Sequence, residues 1–472
     1  MDTAYISDVQ FTSKYVEDQA PAWMNYTAAI NGYTPVPTHD GFSYCEIGCG
    51  QGLTALILAA LHPEGRFWAF DINADHIRTA RAMAAAARLT NIRFLEAGIG
   101  DASARAIPRC EFITAHGFMS WVSEDVRKLA LDFMQEHLAP GGLAMLSYDA
   151  LPGFAPIAPI REMLQLYASS VEGDSVQKAK AALEYVRVLK ESQTSYFTQY
   201  PYVGGVVDEL LGQDPRYVVH ELMTPHWQPF YFREMAERTT RVGLSYAGNL
   251  RPRLNYMDYM VPADFRDFMS ALPSRLLFES HHDLITNTIF RRDLYTSQPG
   301  STSAADLTRA DTIHLRYGVS RLPEELPLRG QHQGLDYDVT SMQSRVAQVV
   351  AALSSGPKDL RLLQQSLGNP DIGIAELADV MQALVVTGIT FPCADTAGER
   401  DGWPEINRVL VKLAVDEQRP QIPLVSPRLG VALLETASSA QSMQAMVDSA
   451  QRSAETSEDR RMALLGFSRT LE

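Results

Sequence analysis

Apolar positions in the first third of the chain gather into short runs, and the segments between them carry apolar residues at helical spacing. The runs are Ser43–Gly48, Arg66–Phe70, Ile92–Ala97, Cys110–Ala115 and Leu143–Tyr148, the last following the turn Ala139-Pro-Gly-Gly142. Each has the length of a buried strand. Between them, Leu53–Leu61 and the alanine-rich Ala74–Leu89 read as helices, the second with Arg78, Arg81 and Arg88 available for solvent. Strand and helix in alternation predict an α/β fold with a doubly wound parallel sheet. Ligands bind such a sheet beyond the carboxyl ends of its strands.

Further along, the period changes. From about Pro156 to Tyr217 the pattern is helical, with Ile160–Ala168, Ser175–Gln193 and Tyr196–Leu211 as the candidate helices. An insertion of this kind over the ligand edge would exclude water and select substrate. The stretch Gln298-Pro-Gly-Ser-Thr-Ser-Ala-Ala305 is small and polar and marks a domain boundary. Beyond it, Ser344–Leu353, Lys358–Leu367 and Gly373–Thr387 predict a helical, winged-helix-like unit. Its third helix carries Glu376 and Asp379 and no Lys or Arg, which makes entry into a nucleic-acid groove repulsive and favours protein contact or dimerisation. Ser438–Arg461 is polar and serine-rich, a loose helix or a disordered tail.

Composition narrows the partners. The 472 residues are 46% hydrophobic and 21% charged, a globular balance with room for two to four domains. With 41 basic and 56 acidic side chains the net charge is −15, which disfavours phosphate backbones and anionic lipid and steers in cations. Cys45, Cys49, Cys110 and Cys393 are too scattered for a disulfide framework, and Cys45 and Cys49 lack a second close pair for zinc. No metal site is expected. Met1–Gln19 has no basic-then-apolar run, and Leu53–Leu61 is about half a membrane span. The expectation is a cytoplasmic protein without membrane insertion.

The chemistry is concentrated after the first strand. Glu46-x-Gly48-x-Gly50-x-Gly52 opens the helix at Leu53, so glycine backbone approaches whatever lies over the loop while the helix start offers free N–H groups. The second strand ends in Asp71, 19 residues beyond Gly52, where a carboxylate can accept both hydroxyls of a ribose. The spacing is not Gly-x-Gly-x-x-Gly, and the Lys-Ser/Thr of a phosphate-binding loop is missing, so pyrophosphate is the poorer ligand. Asp101 suits either an adenine amine or the cap of a helix over Ala102–Ala106. Strands four and five run into His116 and Tyr148 at the carboxyl edge.

The glycine run and Asp71 resemble the first motifs of the class I S-adenosylmethionine methyltransferases. The resemblance implies that the loop passes under the methionine end of the cofactor and that Asp71 holds the ribose. Glu46, Gly48, Cys49, Gly50, Gly52, Asp71, Ile72, Asp101 and His116 are then the cofactor-binding set. It also implies a closing helix, Phe232–Arg241, a strand over Val242–Ala247 and an antiparallel last strand over Ile285–Tyr295.

His116-Gly-x-x-Ser-Trp121 with Ser147-Tyr-x-x-x-Pro-Gly153 is similar to bacterial methyltransferases that carry a methyltransferase regulatory domain. The likeness continues at His220-Glu221, Pro225–Phe232, Gly243–Gly248 and Phe290-Arg-Arg-Asp293. The best-known activity in that group is methylation of lysine side chains on outer-membrane proteins, which implies a protein acceptor. On that reading Tyr148 and His116 orient the amine, and Glu221 or His220 receives a proton through water. Asp149 stands where the group has asparagine and Phe154 where it has tryptophan, both on the substrate side. A small-molecule methyltransferase and a non-catalytic cofactor-binding scaffold are the alternatives. The expected organisation is an N-terminal lid over 1–40, a core over 41–155, a helical insertion over 156–225, a closing helix with the last strands over 226–297, and a helical domain over 305–472. In the lid, Phe11, Tyr15, Trp23, Tyr26 and Tyr33 are expected in the core more than around substrate.

Overall fold

The computed structural model describes residues 8–9, 11–298, 309–320, 326–332, 335–369, 372–394, 403–426 and 428–436. Of the expected boundary Gln298–Ala305 only Gln298 is among them, and the segment 438–461 lies outside them. In chain order, α1 (Pro21–Ile30) precedes β1 (Ser43–Ile47), α2 (Leu53–Leu61), β2 (Arg66–Asp71), α3 (Ala74–Ala86), β3 (Ile92–Glu96), α4 (Ala102–Arg105), β4 (Cys110–Ala115), α5 (Glu124–His137) and β5 (Leu138–Asp149). Five helices follow: α6 (Ala158–Ser169), α7 (Ser175–Glu191), α8 (Ser195–Gln199), α9 (Pro201–Leu211) and α10 (Pro215–Leu222). Then come α11 (Phe232–Arg241), β6 (Ser245–Asn249), α12 (Met257–Met260), α13 (Arg266–Ser270), α14 (Arg275–Thr286) and β7 (Phe290–Thr296).

The seven strands form one sheet in the order β3-β2-β1-β4-β5-β7-β6. The first five are parallel, and β7 runs antiparallel to β5 and β6. Alternate strand residues feed two cores. Tyr44, Phe67, Phe112 and Leu143 pack against α2 and α3, while Ile47, Phe70, Ile113 and Leu146 pack on the opposite face. Each fully buried side chain of this size contributes about 1.5–3 kcal/mol.

Three expected boundaries move. Strand five begins at Leu138, with an irregular register between Cys110 and Phe112 that absorbs the Pro140–Gly142 turn. The sixth strand starts at Ser245 because Gly243, at φ 77°, ends the preceding helical turn. Ile285 and Thr286 belong to α14, which Asn287 terminates in the left-handed region at φ 47°, so the last strand begins at Phe290.

Strand β7 carries the most heavily charged part of the interior. Arg291, 1% exposed, bonds to Glu279 and Asp283 of α14 and to Asp293 on its own strand, at 2.9, 2.6 and 2.9 Å. Its guanidinium also lies 4.4 Å from the Phe232 ring centroid. A buried ion needs this degree of pairing, and removing one partner typically costs about 3–5 kcal/mol. Arg292, next along the strand, instead reaches Asp18 of the N-terminal segment at 2.6 Å.

Toward the C-terminus lie β8 (Arg316–Val319), β9 (Arg329–His332), β10 (Leu335–Asp338), α15 (Gln343–Leu353), α16 (Leu360–Leu367), α17 (Ile374–Val386), β11 (Thr390–Cys393), α18 (Trp403–Asp416), β12 (Gln421–Ser426) and β13 (Val431–Thr436). The three helices expected here are α15 to α17, and β8 pairs with β11 beside them. Tyr26, Ala29 and Ile30 of α1 share their core. Leu410, Leu424 and Ala432 of α18, β12 and β13 join the core that contains α2. Both contacts join the C-terminal elements to the sheet.

Candidate active site

The loop between β1 and α2 holds Gly48, Gly50 and Gly52 at φ 65°, 54° and 71°, a region that side chains rarely adopt. The three differ in surroundings. A Cβ on Gly48 would lie 2.8 Å from the Phe118 ring, and one on Gly52 would lie 2.3 Å from the Phe94 ring. A Cβ on Gly50 would meet nothing within 4 Å, so the space over the middle of the loop is open. Cys49 fixes the loop to the neighbouring strand by donating its N–H to the Phe70 carbonyl at 3.1 Å.

Asp71 closes the other side. Its carboxylate accepts from the N–H groups of Gly50 at 2.9 Å and Asn73 at 2.8 Å. His76 Nε2 accepts from the Phe11 N–H, which leaves Nδ1 to donate to Asp71 at 3.3 Å. Loop, acid and N-terminal segment are thereby one hydrogen-bonded unit. Glu46 lies beneath it and accepts from the N–H of Ala55 in the first turn of α2 at 3.1 Å. Burial pushes the Glu46 carboxyl up to about 8, against the hydrogen bonds from Gln19 and Ala55.

Ile72 follows Asp71 and is 48% exposed, an apolar surface at the mouth of the crevice. Asp101 stands near it: a Cβ on Gly98 would be 3.5 Å from the Asp101 carboxylate and 3.7 Å from Ile72. Asp101 occupies the cap position of α4, yet its side chain makes no cap bond and accepts from the Gly98 N–H at 2.7 Å.

His116 lies just past β4, its ring edge-on to Phe290 with centroids 5.9 Å apart. Its Nδ1 is buried without a hydrogen-bond partner. Burial, followed by the charges of Arg292 and Lys14, lowers the imidazole to about 3 and keeps it neutral. Phe290 also lies 6.4 Å from Trp121, whose indole N–H donates to the Glu221 carbonyl at 3.1 Å.

Asp149 ends β5 and is 2% exposed. Its carboxylate accepts from the Trp227 indole at 2.6 Å, and its N–H donates to Ser120 Oγ at 2.9 Å. Burial raises Asp149 to about 7. Burial and the Asp149 charge hold Glu221 well above the usual carboxylate range, with Lys14 opposing. Two carboxyl groups with raised proton affinity therefore neighbour each other at the carboxyl edge. Trp227 is held there by the buried Arg127, which donates to Gln228 Oε1 at 2.7 Å and to the His226 carbonyl at 2.8 Å.

Of the residues expected to act on substrate, His116 and Glu221 share this edge. Tyr148 does not. It is fully buried, packs edge-on against Phe230 and donates its hydroxyl to Asp293 at 2.6 Å. Strand alternation turns it toward the Arg291 cluster while Ser147 and Asp149 face the other way, so the expectation that it orients the acceptor is corrected. His220 contacts the Val9 carbonyl through Nε2 at 2.8 Å and the Phe11 ring at a centroid distance of 5.3 Å. These contacts tie it to the N-terminal segment, and burial lowers its proton affinity.

That segment crosses the glycine loop. Ser13 donates to Gln51 at 3.0 Å, Gln51 donates to the Phe11 carbonyl at 2.8 Å, and Thr54 Oγ1 bonds both the Lys14 carbonyl and the Val16 N–H. Tyr26 and Tyr33 are core residues. His76, Gln51, Lys14 and Asp149 belong to the site and were not among the residues expected in it. Only Asp149 carried a signal, as a departure from the group pattern. Among the described residues no group of three or more His, Cys, Asp or Glu could hold a metal ion, and no helix is long and apolar enough to cross a membrane.

Comparison with known proteins agrees with this geometry. The family model for a methyltransferase domain matches residues 45–144, and that for a predicted methyltransferase regulatory domain matches residues 214–297. The uncharacterized protein sll1526 of Synechocystis sp. is 25% identical over 394 residues, 83% of this chain and 77% of the relative. The uncharacterized protein RP789 of Rickettsia prowazekii is 27% identical over 261 residues, 55% of this chain and 46% of the relative. The structure of PKMT2 from Rickettsia typhi in complex with AdoHcy superposes with a TM-score of 0.73 at 19% identity, covering 96% of this chain and 91% of that one. That likeness carries the fold across both matched regions.

The chain thus joins a class I methyltransferase domain to a methyltransferase regulatory domain, and it is an S-adenosylmethionine-dependent methyltransferase. Its residues fit the cofactor: open space over Gly50, a carboxylate at the end of β2 bonded to that loop, and a buried imidazole nitrogen with no protein partner.

Proposed function

We propose that the chain transfers methyl groups to lysine amines of a protein acceptor. The observation that carries this reading is the Asp149–Glu221 pair beside neutral His116, with Trp121, Trp227 and Phe290 around it. Carboxylates and an aromatic wall together hold an ammonium ion; Trp227 and Phe290 already carry the guanidinium groups of Arg161 and Arg292 at 4.6 and 5.4 Å, so the carboxylates and Trp121 are left for the substrate. The fold shared with PKMT2 of Rickettsia typhi, whose structure holds AdoHcy, is compatible with this reading.

On this reading Gly48, Cys49, Gly50 and Gly52 would lie along the cofactor, Asp71 would accept hydrogen bonds from its ribose hydroxyls, Ile72 would cover its adenine and Asp101 would accept a hydrogen bond from the adenine amine. Glu46 sets the loop from below. Bound S-adenosylmethionine supplies a methyl group on positively charged sulfur, open to in-line displacement. The chain's task is to align a neutral amine and take up its proton. An ammonium entering beside Asp149 and Glu221 is first held by charge. Glu221, ionised by that ammonium but readily reprotonated in its buried setting, then receives a proton, which frees the nitrogen lone pair for the transfer. His116, uncharged at neutral pH, orients the amine without repelling it. His220 is left with a positioning role, through the N-terminal segment.

The reading is tested by titrating the protein with S-adenosylmethionine and S-adenosylhomocysteine, then supplying tritiated methyl donor with a cell extract resolved by size. Label in protein bands that digest to methyl-lysine is expected. Label confined to the small-molecule fraction would replace the acceptor with a metabolite. Binding without any label would leave a cofactor-binding scaffold.

A further inference from the structure

The N-terminal segment places one of the chain's own amines at this edge. Ser13, Lys14 and Val16 are hydrogen-bonded to Gln51 and Thr54, at the end of the glycine loop and the start of α2. From that anchor the Lys14 side chain extends over α10, with Nζ 5.3 Å from the Tyr217 ring centroid. Tyr217 and Glu221 are one helical turn apart, on one face of α10. The Phe11 ring, 6.3 Å from Tyr217 and 5.3 Å from His220, braces the segment against the same helix. The Lys14 charge is felt at both His116 and Glu221, the two groups that flank the acceptor position.

An exposed lysine whose ammonium rests on an aromatic face, and whose charge reaches a neutral imidazole and a buried carboxyl group, shares the surroundings proposed above for a substrate lysine. Its backbone is fixed by the loop that carries the cofactor, which supplies the proximity an intramolecular transfer requires. We propose that Lys14 is a site of self-methylation: in the absence of a protein acceptor its amine occupies the acceptor position. The step deepens the lysine reading and rests on it. The ammonium gives a proton to Glu221, the nitrogen lone pair forms the new C–N bond, and the methyl–sulfur bond breaks with its electron pair remaining on sulfur. The products are N-methyl-lysine at position 14, S-adenosylhomocysteine and a proton passed to solvent.

The test uses the full chain incubated with tritiated S-adenosylmethionine and no acceptor, followed by proteolysis and mass spectrometry of the peptide containing Lys14. Methyl groups on Lys14 are expected, at a rate per molecule independent of protein concentration, with the label lost in Lys14→Arg, which keeps the charge over Tyr217. Methylation of other lysines with Lys14 unmodified would overturn the inference. So would an unmodified Lys14 in a preparation that labels extract proteins, a result that leaves the lysine reading standing. No methyl-lysine anywhere from a protein that binds the cofactor would end that reading and this inference together. A Lys14→Ala variant with greatly weakened cofactor binding, in a chain whose Lys14 is never methylated, would instead make Lys14 an anchor for the cofactor's carboxylate.

Discussion

Replacing Asp149 by Asn tests the carboxylate pair at its centre. The side chain is 2% exposed, and burial raises its carboxyl from 3.8 to about 7. At 1.36 kcal/mol per pH unit this disfavours the charged form by about 4 kcal/mol in the folded state. The folded pKa lies above the unfolded one, so the penalty is absent in acid, grows as the pH rises from about 4 to about 7 and is constant above that. Glu221 shares the titration, and Asp149 alone is assigned about half, on the order of 2 kcal/mol. Asparagine keeps the volume, and its amide oxygen still accepts from Trp227, at a cost of about 1 kcal/mol that does not vary with pH. Relative to the parent, Asp149→Asn should therefore gain about 2 kcal/mol of stability as the pH rises from about 4 to about 7, with no further gain above that. Urea unfolding of both forms across that range reads the difference, provided the two slopes agree. A difference that stays flat with pH would refute the buried, mutually repelling pair. The same variant should lose about tenfold to a hundredfold in kcat/KM for an amine acceptor, with its acid limb moved to lower pH as Glu221 loses a like-charged neighbour.

Other predictions separate cofactor, acceptor and core. Gly50→Ala meets no neighbour, so it should cost only the left-handed penalty of about 1–2 kcal/mol while weakening S-adenosylmethionine binding in calorimetry. Gly52→Ala places a methyl against Phe94 and should destabilise by about 3 kcal/mol or more, seen as a lowered melting temperature. His116→Ala should lower turnover by more than it weakens cofactor binding; unchanged turnover in the tritium assay would remove it from the mechanism. Tyr148→Phe should leave turnover intact and cost about 1–2 kcal/mol in unfolding experiments, because Asp293 loses a donor.

The alternation of apolar runs and helical segments was sufficient for the parallel sheet, because a strand buried on both faces and a helix that covers it leave distinct periods in the chain. The glycine loop and Asp71 were equally local: three residues that need positive φ and an acid at a strand end are written within a few dozen positions. Tertiary structure alone decided which way Tyr148 faces, since side chains alternate along β5 and a partner 145 residues away, Asp293, takes its hydroxyl. It likewise brought Lys14, Tyr217, Glu221 and Asp149 to one edge, from a terminal segment, an inserted helix and the end of a strand. No spacing along the chain encodes that meeting. Proton affinities at Asp149 and Glu221 depend on how much water the surrounding elements exclude, and exclusion is a property of the packed whole.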